Sequence, residues 1–169
     1  MSFKVKSDDM FGGKGKPLPN GVYRATIEQA DAEDLENGTQ IRLRWGNIRV
    51  ADGATEFELP DGTMYRIGNR KVFDRQWYEH QNEDAAAIGQ RMVMLQAVAL
   101  RFVELPERGS NSELEFPFSG PLAYVEAVLG KECLIRTRLR QRLDRQKKPA
   151  RDEAGDPIFD AEVVEYFRP

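Results

Sequence analysis

Apolar and polar residues alternate along most of this chain, and one long stretch repeats every three to four residues instead. In GVYRATIEQA, Tyr23, Ala25 and Ile27 fall on one side and Arg24, Thr26 and Glu28 on the other. Successive side chains of a strand point to opposite faces, so a period of two predicts a half-buried strand. The acidic stretch DAEDLENG ends in Asn-Gly, a hairpin signal. In TQIRLRWGNIRV, Ile41, Leu43 and Trp45 oppose Arg42 and Arg44, but beyond Gly46-Asn47 the apolar phase moves to Ile48 and Val50. Such a phase change predicts a β-bulge or sharp bend.

Residues 51–64, with two Asp-Gly turns, read as an inserted hairpin or loop, and YRIGNRKVFDRQWY returns to strand composition. A helix should follow. Asn82 can cap it, Glu83 and Asp84 suit its positive end, and Ile88, Met92, Leu95, Ala99 and Phe102 form a stripe at helical spacing. Residues 105–120 read as an inserted loop. PLAYVEAVLG reads as a short helix with Pro121 in its first turn and Gly130 at its stop. Two more strands are expected, one through LIRTRLRQR and one through IFDAEVVEYF, with Phe159, Ala161, Val163 and Phe167 on one face of the latter. The order β-β-β-α-β-β is that of a five-stranded OB-like barrel, a mainly β fold with an α insertion (α+β). Residues 1–20 are expected to be a flexible Gly/Pro/Lys arm, leaving 21–169 as a single domain.

Composition narrows the chemistry. Of 169 residues, 40% are hydrophobic and 31% charged, as in soluble globular proteins. One cysteine, Cys133, excludes an internal disulfide, and with one histidine, His80, it excludes the usual Cys/His zinc site. His80, within WYEHQNED, reads as a surface or helix-flanking residue rather than a catalytic base. GGKGK lacks the spacing of a phosphate loop. No apolar stretch suggests a signal peptide or a membrane span, so a cytoplasmic location is expected, with no catalysis and no cofactor.

Charge changes the picture more. The chain carries −3 overall, yet Leu134 to Arg151 hold eight Lys/Arg against Asp144 alone. Arg136, Arg138, Arg140 and Arg142 occupy every second place and so share one strand face. Arg145, Lys147 and Lys148 extend the field into the following loop. The ordinary reading is a solvated strand whose arginines pair with Asp160, Glu162 and Glu165 on the next one, at roughly 0.2–1 kcal/mol per pair. Strand parity puts Asp160 and Glu162 on one face and Glu165 on the other, so full compensation is not expected. A polyanion would complete it. Rings near basic residues supply the other half of a single-strand site, because bases stack on exposed aromatics. Trp77 and Tyr65 are the candidates, flanked by Arg70 and Lys71, whereas Trp45 continues the Ile41/Leu43 face and belongs to the core.

The segments LPNGVYRATIEQA, RKVFD, NEDAAAIGQRMVMLQAVA, GKECLIRTRLR and AEVVEYFRP resemble a family of bacteriophage and prophage proteins found among replication and recombination genes. The resemblance implies an OB-fold protein that binds single-stranded DNA without sequence preference. It further implies phage or host replication proteins as partners, and it allows a homodimer. On this reading Arg136, Arg138, Arg140, Arg142, Arg145, Lys147 and Lys148 hold phosphates. Arg42, Arg44, Arg70 and Lys71 extend the groove, and Trp77 and Tyr65 stack on bases. The alternative from another class is an adaptor whose basic hairpin docks an acidic protein.

Overall fold

The computed structural model describes Ser2 and residues 16–169. The chain order is β1 (Gly21–Leu35), β2 (Gly38–Val50), β3 (Glu56–Glu58), β4 (Met64–Arg66), β5 (Val72–His80), α1 (Glu83–Ala99), α2 (Pro121–Val128), β6 (Glu132–Gln141) and β7 (Phe159–Phe167). The protein is mainly β. A five-stranded antiparallel sheet runs β5-β2-β1-β6-β7, and β3 and β4 form a separate two-stranded hairpin within the expected 51–64 insertion and just past it. The hydrogen-bonded ladder does not close from β5 to β7.

Tyr23, Ala25, Ile27, Ile41, Leu43 and Trp45 all point into one core, as alternation requires. The phase change in β2 is a bulge, with Asn47 at φ 47° and Ile48 restored to the interior. The two-residue link Glu36-Asn37 joins β1 to β2, one residue earlier than the Asn-Gly signal suggests, since Leu35 pairs with Gly38. Gly38 is needed there for proximity: a Cβ would lie 2.1 Å from the Glu79 carbonyl oxygen.

Asn82 caps α1, its side chain accepting from Ala85 N–H at 3.0 Å. His80 flanks the helix as expected, its Nδ1 accepting from Asn82 N–H. Of the expected apolar stripe, Ala99 is in the core and Met92, Leu95 and Phe102 pack against it, but the buried face is centred to one side of it. Ile88 is exposed, while Gly89, Val93, Gln96 and Ala97 are buried. The cause is the close approach of α1 to β5, where a Cβ on Gly89 would sit 2.1 Å from the Trp77 carbonyl. Helix α2 begins at Pro121 and the chain turns at Gly130, φ 80°.

The expected N-terminal arm lies outside the described residues up to position 15, Ser2 aside, and the GGKGK motif falls there too, except for its final Lys16. From Lys16 onward the chain is part of the domain rather than an arm. Leu18 is 1% exposed, and the Pro19 carbonyl accepts from Tyr23 and Thr137. No helix among the described residues is long and apolar enough to cross a membrane.

A buried polar knot ties the two ends of the sheet. Asp74 of β5 accepts from the Tyr166 hydroxyl of β7, from Trp45 Nε1 at 3.2 Å and from Gln76 at 2.9 Å. Gln96 donates to Tyr166 at 2.9 Å and accepts from Tyr124 at 2.8 Å. Each strong polar group in this dry region therefore has a partner, which is what makes its burial tolerable. Burial pushes the Asp74 carboxyl above its usual range, against the donors that pull it down.

Candidate nucleic-acid interface

The three arginines of β6, Arg136, Arg138 and Arg140, and Arg142 just past its end are all exposed. They are not left uncompensated, as the parity argument expected. Arg136 lies 3.6 Å from Glu165, Arg138 and Arg140 reach the two oxygens of Glu162 at 3.2 and 3.1 Å, and Arg142 makes two bonds to Asp160. Glu162 and Asp160, which strand parity already puts on one face, hold three of the four, and a register shift in the β6–β7 ladder brings in the partner of Arg136. Arg136 pairs with Glu165 but Thr137 pairs with Val163, so Val164 is an extra residue. That bulge moves Glu165 onto the face of Glu162 and Asp160. It also turns Tyr166 inward and leaves Phe167 under the Arg136 guanidinium, 5.3 Å from the ring centre. Phe167 therefore leaves the apolar face expected for it.

Three carboxylates thus meet four guanidiniums, and every pair is open to solvent. The Arg138, Arg140 and Arg142 side chains are 63%, 66% and 54% exposed. The hydrogen bonds with Arg142 hold the Asp160 carboxyl below its usual range. Arg145, Lys147 and Lys148 sit in the exposed β6–β7 loop, where Lys147 adopts φ 61°. Asp144 Oδ1 accepts from the backbone N–H groups of Gln146 and Lys148, which shapes that loop.

The remaining predicted residues divide. Arg42 is held by Asp31 at 2.7 Å and Glu33 at 2.6 Å, and Lys71 by Glu28 at 2.6 Å. Arg44 comes only to 3.9 Å of Glu28. Arg70 donates to the carbonyls of Lys16, Arg66 and Ile67 and lies over the Tyr65 ring. Tyr65 itself is a correction: it is 5% exposed, its hydroxyl donates to the Lys16 carbonyl, and it presents no free face to a base. Trp77 is half-buried beneath α1, its ring edge against His80.

Two rings that the sequence reading passed over are exposed instead. Phe73 is 67% and Phe159 42% exposed. Both line an open groove of about 850 Å3 between β5 and the β6–β7 hairpin. Lys16, Arg70, Lys71, Arg75, Arg140 and Arg142 contribute to the same groove, against Asp74, Asp160 and Glu162. Across β2, Phe73 stands opposite Arg44, and Arg75 opposite Arg42, so the ring and the cations share the outer face. In VFD, Val72 and Asp74 are both buried, which sends the phenylalanine between them outward.

No protein-family model matches this chain, and no curated protein is significantly similar to it. Among the described residues no group of three or more His, Cys, Asp or Glu side chains is placed to hold a metal ion.

Proposed function

We propose that this protein binds single-stranded DNA, without reading its sequence, along the groove between β5 and the β6–β7 hairpin. The observation that carries the proposal is the pairing of two solvent-exposed phenylalanines, Phe73 and Phe159, with six cations in that one groove. Isolated exposed rings are common on protein surfaces. Rings set among guanidinium groups offer what a single strand needs, namely a face for each base and a positive charge for each phosphate.

The sheet order supports the same reading. Among the five strands of the main sheet it runs third, second, first, fourth, fifth. Rolling that order into an OB-like barrel requires the third strand to meet the fifth, and those are the two that Asp74 and Tyr166 join. In OB barrels the face of strands two and three and the loop between strands four and five bind oligonucleotides. Here those regions are the β2–β5 face, carrying Arg42, Arg44, Phe73 and Arg75, and the loop carrying Arg145, Lys147 and Lys148. A role in phage replication or recombination in the bacterial cytoplasm rests on the family resemblance of the sequence segments.

Titration of the intrinsic fluorescence, or of a labelled dT oligomer, at several salt concentrations tests the proposal. With about five phosphates neutralised, log K should fall against log salt with a slope near −3.5, from roughly 0.7 per contact on a single strand. Phe73→Ala with Phe159→Ala should weaken binding by about 2–6 kcal/mol in total, at 1–3 kcal/mol per stacked base, and leave the fold intact. Absence of binding to dT oligomers at low salt refutes the proposal and leaves the adaptor reading.

A further inference from the structure

The carboxylates on the arginine row occupy the guanidinium donors that phosphates would use. Glu162 places one oxygen on Arg138 and the other on Arg140, at 3.2 and 3.1 Å. Asp160 engages Arg142 through both of its oxygens, at 2.6 and 2.8 Å. This fork-to-fork arrangement is one that a guanidinium makes equally with a carboxylate or a phosphate. Both acids line the groove, as do Arg140 and Arg142. The bulge at Val164 adds Glu165 to the same face, opposite Arg136.

Such pairs are easily exchanged. Solvent-exposed ion pairs contribute little to stability, because water screens the attraction and holding two long side chains costs entropy. They do not lock the arginines away, yet any incoming phosphate must displace them and then lie beside the displaced anion. From this arrangement we infer that Asp160 and Glu162 are built-in competitors of phosphate, intramolecular stand-ins that lower the protein's affinity for a single strand and help it let go. The inference rests on the single-strand reading above and adds to it an autoinhibitory contact. Because the Arg142 bonds hold the Asp160 carboxyl below its usual range, this competitor stays ionised through neutral and mildly acidic pH.

The test is affinity for a labelled dT oligomer, measured for the full chain with Asp160→Asn and Glu162→Gln, singly and together. A charge-matched control is Glu113→Gln with Glu126→Gln, two exposed residues that do not line the groove. The double variant should bind about tenfold more tightly at low salt, mainly through slower dissociation. That gain should shrink as salt rises, since screening weakens the competing pairs. The control should gain no more than about twofold, because neither of its carboxylates is paired with an arginine of the row. A gain in the double variant, whether or not the unaltered protein binds measurably, supports the inference. Unchanged or weaker binding in the double variant, or an equal gain in the control, overturns it and leaves the single-strand reading standing if the unaltered protein binds. No binding by either protein removes both. Each single variant carries half the change, so a double variant that failed to fold would leave two readable proteins.

Discussion

Replacing Tyr166 with phenylalanine removes one oxygen that does two things: it donates to Asp74 and accepts from Gln96. Asp74 would keep Trp45 Nε1 at 3.2 Å and Gln76 at 2.9 Å, while the Gln96 amide would retain only a 3.4 Å approach to Asp74. A hydrogen bond to a charged group contributes about 1.5–3 kcal/mol, and a buried donor left without an acceptor keeps its desolvation cost. Tyr166→Phe should therefore destabilise by about 1.5–3 kcal/mol at neutral pH. At roughly 2–4 °C per kcal/mol for a domain of this size, Tm should fall by about 3–12 °C. The loss should also depend on pH. A carboxyl whose native pKa is raised binds its proton more tightly in the folded chain. Asp74 thus stabilises the fold below its unfolded value of about 3.9, and that contribution is lost as pH rises through the native value. The Tyr166 bond favours the ionised form, so its removal raises the native pKa further and the penalty grows from acid to neutral pH. Urea unfolding followed by tryptophan fluorescence, with Trp45 inside the knot, measures both effects. A loss below about 0.5 kcal/mol at neutral pH, the range of ordinary surface changes, would refute the reasoning. So would a penalty equal in acid and at neutrality.

Gly89→Ala should destabilise by about 1–3 kcal/mol, seen in thermal unfolding, because its Cβ would meet the Trp77 carbonyl at 2.1 Å and push α1 off β5. Cys133 is fully buried and its thiol is pushed up to about 12 by that burial, so it should resist a thiol reagent at mildly alkaline pH until denaturant is added. Rapid native-state labelling would contradict that placement.

The elements most legible in the sequence were those set by local chemistry. The alternation around Tyr23 and Ile41, the phase break at Gly46-Asn47, the Asn82 cap and the Gly130 stop each carry a backbone preference that needs no distant partner. What the sequence hid was set by tertiary contact. Asp74 is buried and Phe73 exposed because five polar side chains from β2, β5, α1, α2 and β7 satisfy the carboxylate and its neighbours together. A rule that sends apolar residues inward cannot anticipate that exchange, and it overlooked the two rings now at the centre of the site. The stripe of α1 was legible in Met92, Leu95 and Ala99 but missed its most buried positions for a related reason, since Gln96 is buried as part of the knot and Gly89 as a point of close approach. The pairing of Arg136 was hidden by a single bulge residue, Val164, which reverses strand parity for Glu165, and that of the other three by one carboxylate, Glu162, serving both Arg138 and Arg140.

The line where β5 faces β7 is fastened by side chains and by no ladder of peptide bonds. A wall joined in that way depends on its side chains: Asp74, Tyr166 and Gln96 span the open line, and Arg168 anchors the end of the chain on the Val98 and Val103 carbonyls, while every strand keeps its neighbour. The groove runs along this seam, so replacing Asp74 or Tyr166 would loosen the line on which its two sides meet.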